Sequence, residues 1–173
     1  FPKGHAVAYV TMALRIAWFK VHYPQAYYAA YFTVRGDGFD AATMLVDPDT
    51  CRAKIKEIKN MDNASAKDKE SQTALELVLE MNMRGIHFLP VDLYKSDVRK
   101  FLIEDGNLRC PFTSLGGLGE SAALTIAAAR EQARFLSVED LKERGKVGTG
   151  VIDLLRAHGT LEGLSETSQI SMF

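Results

Sequence analysis

The sequence predicts a mainly α-helical protein with one small β-hairpin and a flexible C-terminal tail. Three observations predict this fold. Apolar residues recur at helical spacing in segments that proline, glycine and capping residues separate. Two apolar runs flank Asp105-Gly106, which is a strong hairpin signal. The tail from Ser165 is polar until its final residues. The length of 173 residues suffices for one domain, or two small ones, with a real core.

The first half is predicted to be a succession of helices. Ala6–Val21 is rich in apolar residues, and Pro24 should end this helix near His22. A helix that is apolar on most faces is normally buried, so we expect a central core helix. Pro24 suits the first turn of a second helix, Gln25–Val34. The aromatic residues of that helix most simply pack in the core, with base stacking as the alternative: Tyr27, Tyr28, Tyr31 and Phe32.

Three more helices should follow the turn Gly36-Asp37-Gly38. Each of them has a residue type that caps helix N-termini. The predicted caps and bounds are Asp40 for a short helix, Asp49 or Thr50 for Cys51–Asn60, and Ser65 with Asp68 for a long helix that ends near Arg84, before Gly85.

The pattern changes after His87. Phe88–Asp92 is extended, and the runs Val98–Ile103 and Leu108–Phe112 should form the hairpin. We place a domain boundary near Pro111. Two later helices have clear ends: Ser137 caps Val138–Arg144, and Gly159 closes Thr149–Ala157.

Charge and cysteine content exclude several classes of protein. The 21 Lys and Arg nearly cancel the 22 Asp and Glu, and a net charge of -1 argues against a generic polyanion binder. The charge is uneven, however. Residues 1–35 carry four basic and no acidic residues, whereas the remainder carries 17 basic and 22 acidic ones. Cys51 and Cys110 lack a CxxC or Cys/His cluster, so we expect two buried thiols in a reducing cytoplasm and no zinc site.

A glycine turn leads directly into a helix of small apolar residues at Leu115–Arg130. Backbone N–H groups at such a turn, and at the first turn of the helix, favour an anion. The turn resembles the second half of a helix-hairpin-helix DNA-binding motif. A dinucleotide site is rejected because the third glycine and a βαβ unit are missing. A plain glycine cap between packed helices is the remaining alternative. The predicted phosphate-binding residues are Gly117, Leu118, Gly119, Glu120, Ser121 and Arg130.

Weaker signals lie elsewhere in the chain. Val147–Val151 could be a degenerate second hairpin. Lys3 and His5 lie near a helix N-terminus, with Arg15 further along, where a triphosphate or backbone phosphate could bind; a solvated basic rim is the alternative. The tail ends in two large apolar residues, which fits a partner pocket, with a tail folded onto its own core as the alternative. No hydrolytic motif or paired metal-binding aspartates occur, and the first helix is too short and charged to span a membrane.

Together these features resemble the Gram-positive-type (PolC-type) family of bacterial replicative DNA polymerase III alpha subunits. The resemblance covers essentially the whole chain. Its motifs are Phe1-Pro2-Lys3-Gly4-His5-Ala6-Val7-Ala8-Tyr9, Trp18-Phe19-Lys20-Val21-His22-Tyr23-Pro24, Pro90-Val91-Asp92-Leu93-Tyr94, Gly117-Leu118-Gly119-Glu120, and Gln169-Ile170-Ser171-Met172-Phe173.

The resemblance implies three regions: a distal fingers subdomain at 1–110, a helix-hairpin-helix duplex-binding region at 111–164, and a sliding-clamp-binding tail at 165–173. It places Lys3 and His5, with Arg15, near the nucleotide or template. In the clamp motif Ile170 and Met172 replace two leucines and keep apolar volume, so we expect clamp binding to persist.

The resemblance also implies template-directed DNA synthesis by the parent enzyme, with magnesium bound to palm aspartates upstream of Phe1. We therefore expect no catalytic residue, metal or cofactor here, and no polymerase activity from this chain alone. The implied partners are duplex DNA, bound without sequence preference, the β sliding clamp and the rest of the polymerase, in the cytoplasm at the nucleoid. Since the chain begins with Phe1 rather than Met, we expect a fragment or a processed N-terminus.

Two alternatives remain. One is a stand-alone helix-hairpin-helix accessory or repair protein, which the missing Met and the acid-free first helix disfavour. The other is a structural helical adaptor without nucleic-acid contact, which would lack a basic patch around Gly117–Gly119.

Overall fold

A computed structural model describes residues 2–167 of the chain. The described part is mainly helical, as predicted, and it also contains a small sheet and two short 3-10 helices, at Gly36–Gly38 and Phe112–Ser114. The helices are α1 Lys3–His22, α2 Pro24–Arg35, α3 Ala41–Met44, α4 Pro48–Lys59, α5 Ala66–Met83, α6 Glu120–Gln132, α7 Val138–Arg144 and α8 Thr149–Ala157. The strands are β1 Phe88–Leu89, β2 Leu102–Glu104 and β3 Asn107–Arg109.

The predicted boundary between the first two helices is confirmed, but the predicted burial of the first is wrong. α1 ends at His22, and Pro24 occupies the first turn of α2. None of the 20 residues of α1 is buried, although most of its faces are apolar. The reason is that α1 packs mainly along α2 and leaves its other faces exposed, with Trp18 half exposed and Leu14 66% exposed.

Side-chain caps fix the starts of the next three helices. Asp40 accepts a hydrogen bond from the Ala42 N–H at 3.0 Å, as predicted for α3. Ser65 and Asp68 form a reciprocal capping box at α5. The start predicted for α4 is wrong: Asp47 is the cap, with oxygen Oδ1 accepting two backbone N–H groups, and Pro48 begins the helix. Pro suits that first position because its missing N–H would have no acceptor there.

The predicted hairpin is confirmed at its turn and gains a third strand, but its two strands are shorter than the predicted runs Val98–Ile103 and Leu108–Phe112. β2 and β3 pair antiparallel, and Asp105 and Gly106 form the turn with φ of 50° and 79°. Positive φ at both positions matches the right-handed twist of the strands. β1 pairs parallel with β3, so that the strand order is β1-β3-β2. The sequence indicated an extended segment at β1 without indicating its partner.

Buried side chains of the described residues form one hydrophobic core from Tyr28 to Leu161. Tyr28 and Phe32 of α2 are buried in it, which confirms the predicted core role of these two aromatic residues. Cys51 and Cys110 are both buried free thiols, as predicted. The domain boundary near Pro111 stays a prediction. Within residues 2–167, no helix combines the length and apolar character that crossing a membrane requires.

Candidate nucleic-acid interface

The first glycine hairpin joins the 3-10 turn Phe112–Ser114 to α6. Gly117 has φ of 98°, a conformation that residues with a Cβ rarely adopt. Leu118 is buried, and its N–H donates to the Leu115 carbonyl at 3.0 Å. The buried leucine fixes the turn to the core, so the glycines on either side lie at its surface edge. Gly119 then forms the N-cap of α6 with extended dihedral angles.

No side chain caps the N-terminus of α6 among the described residues. The first N–H groups of a helix have no intrahelical acceptor, and they attract anions together with the helix dipole. A Cβ added at Gly119 would meet no atom within 4 Å, so the surface above this residue is open. Glu120 and Ser121 are exposed on the same turn. The Arg99 guanidinium lies 3.4 Å from the Glu120 carboxylate and adds positive charge beside that acidic residue.

A second hairpin between α7 and α8 repeats the backbone pattern of the first. Lys146 has φ of 49°, Val147 is buried and Gly148 is an extended N-cap without a capping side chain. These three residues correspond in order to Gly117, Leu118 and Gly119. The interpretation of this segment as a second hairpin therefore has a structural basis that the sequence pattern alone lacked.

Lysines flank the second hairpin. Lys142 and Lys146 are exposed on either side of Gly145, and the Lys142 ammonium donates to the Thr149 hydroxyl at 3.2 Å. Sequence analysis missed both lysines, although their position beside the glycines was a readable signal. It also missed Arg99, which lies far from the hairpin in sequence and gave no signal. The two lysines bring positive charge to the second hairpin, whereas at the first hairpin Arg99 offsets the negative charge of Glu120.

Arg130 lies away from the glycines with which it was predicted to act. It is ten residues after Glu120, which corresponds to about 15 Å along the helix axis. Its guanidinium donates to the Leu93 carbonyl at 3.0 Å and lies over the Phe112 ring, 5.6 Å from its centre. The structure thus gives Arg130 a contact within the protein, and a phosphate contact of this residue stays a prediction.

Arg144 joins the end of α6 to α7 and holds the two hairpins in one unit. Its guanidinium donates to the carbonyls of Ala129 at 2.5 Å and Ala133 at 2.9 Å. It also pairs with Asp140 at 3.1 Å. Asp140 accepts the Leu136 N–H, and this hydrogen bond, with the Arg144 charge, holds the pKa of Asp140 below its usual value. The bond to the Ala133 carbonyl supplies a donor that the end of α6 lacks, whereas the Ala129 carbonyl also accepts the Ala133 N–H at 3.5 Å.

The other predicted sites lie on α1 and in the tail. Lys3, His5 and Arg15 are exposed on α1, and the ring of His5 contacts that of Tyr9 with centres 4.5 Å apart. The proposed clamp-binding residues Gln169–Phe173 lie outside the described residues. Residues 2–167 contain no group of three or more His, Cys, Asp or Glu side chains arranged to hold a metal ion.

The two glycine hairpins identify this part of the molecule as a helix-hairpin-helix region. The helix-hairpin-helix motif family matches residues 85–170. The whole chain is 51% identical to a DNA polymerase III PolC-type from Thermotoga petrophila, 54% to one from Halalkalibacterium halodurans and 51% to one from Bacillus subtilis. The match covers 100% of this chain but only 12–13% of the length of these relatives. The chain belongs, as a segment, to the PolC-type DNA polymerase III family.

Proposed function

We propose that this chain is the duplex-holding and partner-binding segment of a replicative DNA polymerase. In this proposal residues 111–164 bind the sugar-phosphate backbone of duplex DNA without reading its sequence. The observation that carries the proposal is the paired, uncapped helix N-termini of α6 and α8, each behind a glycine turn. Backbone N–H groups bind phosphate whatever the base, as sequence-independent DNA binding requires. The contacts at the first hairpin would come from Gly117–Ser121.

Gly119→Asp tests the first hairpin. A Cβ at this position is unobstructed, and Asp is a favourable N-cap, so the fold should keep its stability or gain some. The carboxylate would occupy the place of the phosphate and repel it. We expect the Kd for duplex DNA to rise about tenfold, which corresponds to about 1.4 kcal/mol. Fluorescence anisotropy at low salt measures the Kd, and Gly119→Asn is the matched cap without charge.

The second hairpin provides an independent arm of the test. Gly148→Asp should weaken binding in the same way, because Gly148 is likewise an open N-cap. Arg130→Lys keeps the positive charge but removes the guanidinium that reaches the Leu93 carbonyl, so a loss of affinity at an unchanged melting temperature would favour a phosphate contact of the guanidinium itself. DNA binding that neither Asp variant weakens would contradict the proposal. An absence of DNA binding would favour the structural adaptor.

For the remaining regions, the proposed roles are those that membership of the polymerase family implies. Residues 1–110 would be the distal fingers, with Lys3, His5 and Arg15 close to the nucleotide or template. The exposed apolar faces of α1 support a position against the rest of a longer chain. That chain would hold the palm carboxylates and their magnesium ions, in the cytoplasm at the nucleoid. The present segment alone should therefore show no primer extension.

The tail would attach the polymerase to the β sliding clamp through Gln169–Phe173. Ser165 and Glu166 support this arrangement, because their carbonyls accept the N–H groups of Val138 and Glu139 and so fix where the tail leaves the helical region. Deleting Gln169–Phe173 should abolish co-elution with the clamp while leaving DNA affinity unchanged. Undiminished co-elution would contradict this part of the proposal.

A further inference from the structure

α1 is attached to the rest of the structure chiefly at its C-terminal end. Its 20 residues carry no buried side chain, and its main packing partner is α2. A second attachment comes from α5, which lies far away in sequence. We name this attachment the α1 anchor; it consists of Lys20, Glu80 and Arg84.

The α1 anchor is a closed ring of three polar contacts. The Lys20 ammonium lies 2.6 Å from Glu80 oxygen Oε2, and the Arg84 guanidinium lies 3.0 Å from Glu80 oxygen Oε1. Arg84 also donates to the Lys20 carbonyl at 3.3 Å. One carboxylate thus joins the side chain of Lys20 to the arginine that holds the backbone of the same residue.

The surroundings of the ring favour its charged form. Lys20 lies over the ring of Tyr27, 5.2 Å from its centre, and its side chain is only 24% exposed. Burial alone would raise the pKa of Glu80, but the hydrogen bond and charge of Lys20 keep this pKa below its usual value. Partly buried, mutually bonded charges hold side chains more firmly than fully exposed pairs do.

We infer that Lys20 and Glu80 are positioning residues that set the direction of α1 and thereby the place of Lys3 and His5. This inference rests on the proposed function, in which Lys3 and His5 lie close to the nucleotide or template. Lys20 lies 17 positions after Lys3, which corresponds to about 25 Å of helix. A rotation of about 10° at the anchor would therefore move Lys3 by about 4 Å, enough to separate it from a phosphate.

The test uses the longer polymerase that contains this segment. Glu80→Gln and Lys20→Met remove the ion pair, whereas Lys20→Arg keeps it. We expect the first two variants to raise the KM for the deoxynucleoside triphosphate about tenfold, with a smaller change in kcat. Lys20→Arg should keep the KM of the wild type. Glu76→Gln is the matched control, because Glu76 lies on α5 as Glu80 does, and its 2.9 Å pair with Lys59 of α4 does not involve α1.

A distance measurement separates positioning from general stability. In this chain by itself, spin labels at Val7→Cys on α1 and Lys69→Cys on α5 report the direction of α1 by pulsed electron paramagnetic resonance, since both positions are exposed there. The distance distribution should broaden in Glu80→Gln and Lys20→Met but not in Glu76→Gln. Equal melting temperatures of the variants would show that the fold is intact.

The outcomes distinguish a failure of this inference from a failure of the proposed function, in which Lys3 and His5 lie close to the nucleotide or template. An unchanged KM in Glu80→Gln and Lys20→Met overturns the inference if Lys3→Ala or His5→Ala raises the KM. An increase of the same size in Glu76→Gln also overturns it. If Lys3→Ala and His5→Ala leave the KM unchanged, the failure lies in the proposed position of α1. In that case the distance distributions test the anchor by themselves. An unchanged width in Glu80→Gln and Lys20→Met overturns the inference that the anchor sets the direction of α1.

Discussion

At the residue scale, the glycines of this chain serve different purposes that the sequence does not distinguish. Gly117 supplies a positive φ in the first hairpin, while Gly119 leaves the N-terminus of α6 open. Gly38 instead allows close packing: a Cβ there would lie 2.8 Å from the carbonyl carbon and oxygen of Glu70 in α5. Gly36, two residues earlier in the same turn, has no neighbour within 4 Å of an added Cβ.

Gly38→Ala should therefore destabilise the fold, since backbone of α5 would have to move. We expect a loss of about 1–3 kcal/mol in the free energy of unfolding, measured by urea denaturation. Gly36→Ala is the control for losing a glycine in this turn, and we expect it to stay within about 0.5 kcal/mol of the wild type. Equal effects of the two substitutions would contradict the packing argument.

At the scale of elements, the turn of the β-hairpin brings the carboxylate of Glu104 next to two positively charged side chains. Asp105-Gly106 determines the turn, and Glu104 at the end of β2 then lies within reach of two cations. Its carboxylate is 2.7 Å from the Arg109 Nε atom and 2.6 Å from the Lys95 ammonium. The hydrogen bond from Arg109, followed by that from Lys95, lowers the pKa of Glu104 from 4.5 to about 2.

This pKa predicts a pH dependence of stability. A carboxylate whose folded-state pKa is lowered stabilises the fold above its unfolded pKa, and this contribution is lost as the pH falls through the folded pKa. Between about pH 4.5 and about pH 2, unfolding measurements should thus show a decline that Glu104→Gln reduces. Asp49→Asn removes an exposed carboxylate paired with Arg52 and is the control. An identical pH profile in Glu104→Gln would contradict the prediction.

At the scale of the whole molecule, the main departure from sequence-based expectation is α1. The sequence predicted a central core helix, whereas the structure exposes large apolar side chains along its length. Exposed apolar area of this extent usually marks a surface that another protein part covers. The family provides the candidate, because the relatives are about eight times longer than this chain.

Trp18 reports directly on whether α1 is covered. It is the only tryptophan of the chain and is 50% exposed. In the isolated chain, its fluorescence should be quenched by iodide and lie at long wavelength. In the longer polymerase, with other tryptophans replaced, Trp18 should be protected from iodide. Equal quenching in the two forms would mean that the rest of the polymerase leaves this face of α1 open.

Local patterns in the sequence determined most of the secondary structure. Pro24 determined the break between the first two helices, Ser65 and Asp68 the start of α5, and Asp105-Gly106 the hairpin. These signals act between neighbouring residues, so a single sequence contains them. The glycine turn before α6 was likewise visible, and with it the helix-hairpin-helix motif that the family comparison supports.

Only the tertiary structure decided which distant side chains meet. It placed Arg99 beside Glu120, bonded Arg130 to Leu93 and paired Lys20 with Glu80 across 60 positions. It also left α1 without a buried side chain, although the helix has the composition of a core element. Burial and long-range ion pairs depend on how helices pack, whereas periodicity records only which faces are apolar. The sequence therefore determined the helices, the strands and the glycine turn, whereas the packing decided which charged side chains lie beside them.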